Sequence, residues 1–263
     1  MVLNRYLPLG VLIMAGLASC TAAAGNSAAA FSPALDAHIG EVVRNYLLAH
    51  PTVLVEVSEK LQAQQKVEQM KAMFAAVSEH QDALLNDAGT PSYGPADAKV
   101  ALVEFFDYQC VVCARQAPVI NSVMKTRPQV RYVFKEWPIF AQRWEPSLKA
   151  AETGLQVWQQ KGAGAYLAYH NAVFATGHNE GQLTGADITA AAGELTGGHD
   201  EAQSVLARTD ALAQSLGLRG TPGIIVMPVS GATADNVTII PGGTDQATLQ
   251  AAIDRAADGT KKK

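Results

Sequence analysis

The chain has 263 residues, 24 acidic against 20 basic side chains, and a formal net charge of −4. That balance argues against nucleic acid as a partner, and no Gly-rich phosphate loop points to a bound nucleotide or other cofactor. Of three cysteines, Cys20 lies far from Cys110 and Cys113, and none of the six scattered histidines is paired at ligand spacing, which argues against a four-coordinate zinc site.

Residues 1–20 read as a targeting segment, with one early charge at Arg5 and an apolar core from about Tyr6 to Leu17. That core is too short to span a bilayer. Its ending, Leu17-Ala18-Ser19-Cys20, resembles a bacterial lipoprotein signal. The resemblance implies an acylated Cys20 and a periplasmic, lipid-anchored protein. An ordinary signal peptide cut after Ala22-Ala23-Ala24 or Ala28-Ala29-Ala30 is the alternative. Residues 21–33, rich in Ala, Ser, Gly and Asn, read as a flexible tether. Residues 34–87 read as a helical arm. Ile39, Val42, Val43, Tyr46 and Leu47 recur at helical steps, His50-Pro51 interrupts, and a longer helix carries Leu54, Val57 and Leu61, then Val67, Met70, Phe74 and Val77. The phase slips between the two stripes, so a sustained coiled coil is excluded. The arm either packs on its own domain or buries its stripe in a homo-oligomer. Gly89, Pro91, Gly94 and Pro95 mark residues 88–99 as a linker.

A domain over residues 100–258 follows, with a basic tail at 259–263. Val100 to Phe106 is a dense apolar run that reads as a strand buried on both faces. Asp107-Tyr108-Gln109 makes a turn, and Cys110-Val111-Val112-Cys113 opens a helix running to Lys125. A cysteine at a helix start meets unsatisfied N–H groups and the positive end of the dipole, which favour the nucleophilic thiolate. Val130 to Trp137 reads as a second strand parallel to the first. A helical insertion at about 143–216 carries helices at Leu148–Gln160, Tyr166–Ala175, Thr184–Glu194 and Asp200–Leu216. Strands resume at Gly220 to Met227 and Val237 to Ile240, and a last helix at Asp245 to Ala257, capped by Thr244 or Asp245, closes the domain.

A strand into Cys-x-x-Cys, a helical insertion, then Thr221-Pro222 at a strand start resembles the thioredoxin fold, and more narrowly the exported DsbA-like thiol–disulfide oxidoreductases. The expected fold class is therefore α/β. The resemblance implies a redox-active Cys110–Cys113 pair and a cis Pro222 facing it, with the Thr221 backbone free to pair with a substrate strand. An edge-strand or turn proline is the plain alternative. Glu104, six residues before Cys110, inherits the buried acid that moves the proton of the second cysteine, with Lys135 as its candidate counter-ion; otherwise both point to solvent. Two valines between the cysteines offer a thiolate neither charge nor hydrogen bond. The Cys110 pKa is thus expected to rest on the helix terminus alone, with a couple less oxidising than DsbA's. Thr221 and a dimerising arm resemble the isomerase branch, DsbC and DsbG. The expected partners are exported proteins bearing thiols or disulfides, and envelope redox proteins. A soft-metal Cys-x-x-Cys carrier or a holdase chaperone is the competing class.

Overall fold

The computed structural model describes residues 32–197 and 200–261. In chain order the elements are α1 (Pro33–Ala49), α2 (Thr52–Glu79), α3 (Gln81–Leu85), β1 (Ser92–Tyr93), β2 (Val100–Phe106), α4 (Val111–Thr126), β3 (Arg131–Glu136), α5 (Glu145–Ala175), α6 (Gly185–Ala192), α7 (Asp200–Ser215), β4 (Gly223–Pro228), β5 (Thr238–Pro241) and α8 (Gln246–Lys261). The leader with Cys20, most of the tether and the end of the basic tail lie outside the described residues. No helix among the described residues is long and apolar enough to cross a membrane.

The chain divides into two compact units, residues up to Lys60 and residues from Leu61 onward. In the first, Ser32 caps α1 by accepting the Leu35 N–H at 3.3 Å, and Pro33 occupies the first turn. No residue of α1 is buried. Its stripe of Leu35, Ile39, Val42, Val43 and Tyr46 stands 42–55% exposed.

The second unit is built on β2. All seven of its residues are buried, as expected for an apolar, β-branched and aromatic run covered on both faces. The sheet order is β1-β3-β2-β4-β5. β2 runs parallel to β3 and antiparallel to β4, while β1 and β5 close the edges antiparallel. Side chains alternate across the sheet. Leu102 and Phe106 join the core under α4, α5 and α8, and Ala101, Val103 and Phe105 join the opposite core with Met73, Val77, Leu84, Leu85 and Leu212.

The thioredoxin fold, its helical insertion and the preceding helices are thus all present. Two boundaries differ from expectation. The division between units falls inside α2, because its last turns and α3 bury Met73, Val77, Leu84 and Leu85 against the sheet; the arm read at 34–87 is not one body. The linker read at 88–99 contributes β1, which pairs Ser92 with Val133 and Tyr93 with Tyr132. Within the insertion, the helices expected at Leu148–Gln160 and Tyr166–Ala175 appear as α5, kinked at Gly162 where φ is +75°. Asp245 caps α8, accepting the Thr248 N–H at 2.7 Å.

Candidate active site

Cys110 is the N-cap of α4, with φ −82° and ψ 115°. Its sulfur accepts the Cys113 N–H at 3.4 Å and lies 3.3 Å from the Thr221 carbonyl oxygen. The Thr221–Pro222 peptide is cis. The sequence therefore places cysteine pair and Thr-Pro turn more than a hundred residues apart, and the fold brings them into contact across the tops of β2 and β4. Both cysteines are free thiols; Cys110 is 5% exposed and Cys113 1%.

Their environments push them apart. A hydrogen bond from the Cys113 thiol brings the Cys110 pKa down to about 6, burial opposes it, and Thr221 and the Cys113 and Val112 N–H groups add to the lowering. Burial pushes the Cys113 thiol well above its usual range, and the Cys110 sulfur and Glu104 raise it further. This corrects the expectation that the helix terminus alone sets the Cys110 thiolate: the partner thiol contributes most, and Thr221 contributes as well. One thiol is poised as nucleophile and the other stays protonated until called on.

Glu104 is buried on the α4 face of β2. Burial, then the Cys110 charge, raises its carboxyl from 4.5 to about 8. Among the described residues its Oε2 has no hydrogen-bond partner. A neutral acid close to neutrality is a competent proton carrier for a buried thiol.

Lys135 is not its counter-ion. In the parallel β2–β3 register Lys135 pairs with Phe105, whereas Glu104 pairs with Phe134, so Lys135 projects to the opposite face. There its ammonium donates to the Ala83 carbonyl and to Thr90 Oγ1, both at 2.8 Å, and lies 3.7 Å from Asp87. It ties α3 and the following loop to the sheet and takes no part in the redox site.

Sequence reasoning passed over several buried polar groups behind the cysteines. Asp107, Tyr108 and Gln109, read as a simple turn, are all at most 1% exposed. Asp107 accepts the Gln109 N–H at 2.8 Å, the Phe140 N–H at 2.9 Å and the Ser147 hydroxyl at 2.8 Å. The Tyr108 hydroxyl donates to Glu136 at 3.0 Å, and Tyr166 donates to the same carboxyl oxygen at 2.8 Å. Gln109 accepts the Glu180 N–H at its carbonyl and the Gly181 N–H at its side chain. Every residue of the turn before Cys110 is thereby locked to the insertion or to the end of β3. The one local hint was the strand-ending acid Glu136 beside an aromatic-rich turn.

A thiol of lowered pKa, a buried second thiol and a buried acid meet on a five-stranded mixed sheet of thioredoxin architecture. The thioredoxin family profile matches residues 86–241, and a profile described as the copper resistance protein ScsC N-terminal domain matches residues 37–68. The crystal structure of BcfH from Salmonella enterica Typhimurium is 41% identical, covering 85% of this chain and 96% of its own, with a TM-score of 0.75. The catalytic domain of Proteus mirabilis ScsC is 30% identical, covering 70% of this chain and 98% of its own, with a TM-score of 0.58. A periplasmic thioredoxin-like protein from Salmonella enterica serovar Typhimurium is 26% identical, covering 67% of this chain and 95% of its own, with a TM-score of 0.57. No curated protein matches the chain. The chain belongs to the thioredoxin family, and its thioredoxin domain carries a helical insertion.

Proposed function

We propose that this chain is a periplasmic thiol–disulfide oxidoreductase that forms, reduces or isomerises disulfides in exported proteins through Cys110 and Cys113. The observation that carries this is the Cys110 sulfur at a helix mouth, 3.3 Å from the Thr221 carbonyl, with its pKa lowered to about 6. In the reducing direction the Cys110 thiolate attacks a client disulfide; an S–S bond forms to Cys110 and one client thiolate leaves. Mixed-disulfide formation removes the Cys110 charge that helps hold the proton on Glu104. The ionised Glu104 carboxylate then takes the Cys113 proton, and the Cys113 thiolate attacks the Cys110 sulfur. The second client thiolate departs with the electron pair, and the enzyme holds a Cys110–Cys113 disulfide. Oxidation of a client dithiol is the same path reversed, and a partner redox protein resets the pair. In isomerisation Cys110 enters and leaves without net electron transfer. Thr221, half-buried beside the sulfur, presents its backbone to the client strand.

Residues 34–60 support a further part of the reading, a homo-oligomer through the arm. α1 exposes an apolar stripe, and Leu54 and Val57 of α2 stand 56% and 59% exposed, a surface that self-association would cover. A lipid anchor at Cys20 rests on the sequence alone. A soft-metal carrier remains the second reading, favoured by the copper-resistance description of the profile matching residues 37–68.

Insulin reduction by the full chain and by Cys110→Ser separates the two. Loss of turnover in the variant is the expected result; activity that survives would sink the redox reading. Refolding of scrambled ribonuclease by the wild type and by the double variant Ile39→Glu, Val43→Glu tests the arm. An isomerase built by the arm loses that activity in the variant while insulin reduction persists.

A further inference from the structure

An open trough of about 980 Å³ lies between α4 and α5, with β1 at one end. One wall is a single stripe of α4, Ala114, Pro118, Asn121 and Lys125, at helical spacing. The other is the facing stripe of α5, with Leu167 and Asn171 at its centre. Small alanines on both walls, Ala114 and Ala117 of α4 and Ala163 and Ala175 of α5, leave the space between the helices unfilled.

Its polar groups are few and ordered. Pro118 has no N–H to close the helical bond onto the Ala114 carbonyl, which opens an acceptor at the end nearest the cysteines. Halfway along, the Asn121 side chain donates to Asn171 Oδ1 at 2.8 Å. Among the described residues, the side-chain oxygen of Asn121 and the side-chain NH2 of Asn171 make no hydrogen bond to protein, while Asn171 Oδ1 also meets His170 Nδ1 at 3.2 Å. An acceptor beside a donor matches the N–H and C=O of one peptide backbone. At the far end stands Lys125, exposed, the sole charged residue of the lining and, among the described residues, without an ion-pair partner.

We infer that this trough is a docking groove for the client chain beyond its reacting cysteine: an extended apolar segment carrying a carboxylate that meets Lys125. The inference rests on the oxidoreductase reading of Cys110 and specifies its substrate class. Ala114 follows Cys110 by one helical turn, its N–H bonded to the Cys110 carbonyl at 3.0 Å. At 1.5 Å per residue, Ala114 to Lys125 spans about 16 Å, the length of about five residues of extended chain. The turn from Cys110 adds one or two more, so the favoured acid lies about six or seven residues from the client cysteine. The trough accepts backbone and apolar side chains generally, and one cation biases the choice without restricting it to a single sequence.

The test uses the full-length protein and two fluorescent peptides, each with one cysteine followed by five apolar residues and then Glu or Lys. Serine-substituted forms of the peptides report binding by anisotropy. Disulfide-linked forms report exchange, and 2-hydroxyethyl disulfide, too small to reach the groove, reports the intrinsic chemistry. The Glu peptide is expected to bind about five-fold more tightly than the Lys peptide, the size of one partly exposed ion pair. Lys125→Glu should reverse that order, and Ala163→Leu, which fills the α5 wall, should weaken both peptides. Neither change should alter exchange with the small disulfide. Equal binding of the two peptides by the wild type, or a preference that survives Lys125→Glu, overturns the groove. Absence of exchange with 2-hydroxyethyl disulfide overturns the redox reading instead, and the anisotropy result stands apart from it.

Discussion

Glu104→Gln separates what the buried acid costs from what it does. In the unfolded chain this carboxyl loses its proton near pH 4.5; in the folded protein, burial and the neighbouring Cys110 hold it until about pH 8. The folded state therefore binds more protons than the unfolded one between those values, and its stability falls as pH rises through them. From pH 4.5 to pH 7 is two and a half decades, at about 1.4 kcal/mol each, so the acid costs about 3 kcal/mol at pH 7. Glutamine keeps the shape without the titration. Among the described residues Oε2 has no hydrogen-bond partner to lose. Urea unfolding of both reduced proteins from pH 4.5 to pH 8 gives the check. Cys110 titrates in the same range, but it does so in both proteins and largely cancels in the difference. The variant is expected to gain stability over wild type progressively with pH, reaching about 3 kcal/mol near pH 7. In the same samples, resolution of a mixed disulfide by Cys113 should slow by about 100-fold, the lower range for loss of a proton carrier. A stability difference independent of pH would refute the burial argument, and an unchanged resolution rate would remove Glu104 from the proton path.

Three further outcomes follow from the geometry. Absorbance of the thiolate at 240 nm should titrate near pH 6 in the reduced wild type and shift upward in Cys113→Ala, because the Cys113 thiol is the largest contributor to the lowering; no shift would contradict that assignment. Glu136→Ala strands the buried hydroxyls of Tyr108 and Tyr166, so denaturant unfolding should show a loss of about 2–5 kcal/mol, with Glu136→Gln recovering most of it. The Lys135 ammonium, held down to about 8 mainly by burial, takes up its proton less readily folded than unfolded. Stability contributed by this group should rise from pH 8 toward 10.5, and Lys135→Met should abolish that rise.

How far the chain could be read without coordinates depended on the range of each interaction. The β2 run, the helix opened by Cys110 and the helical insertion follow from local patterning, because apolar periodicity and glycine punctuation act over a few residues. The Thr221–Pro222 turn was legible only through its resemblance to a family, since nothing local couples it to cysteines more than a hundred residues away. The boundary inside α2 was hidden because its exposed first half and buried second half carry similar stripes, and only the presence of the sheet beneath Met73 and Val77 distinguishes them.

Composition and spacing by themselves placed two thiols one turn apart at a helix start, where the N–H groups and the dipole favour a thiolate; the redox role came from the resemblance to a family. Tertiary structure decided the partners. A single step of strand register sends Lys135 to Asp87 and leaves Glu104 without a cation, because neighbouring positions on a strand face opposite sides of the sheet. Packing of the insertion turned Asp107, Tyr108 and Gln109 from a surface turn into the buried mount of the nucleophile, since a polar group withdrawn from water persists only where another group meets it.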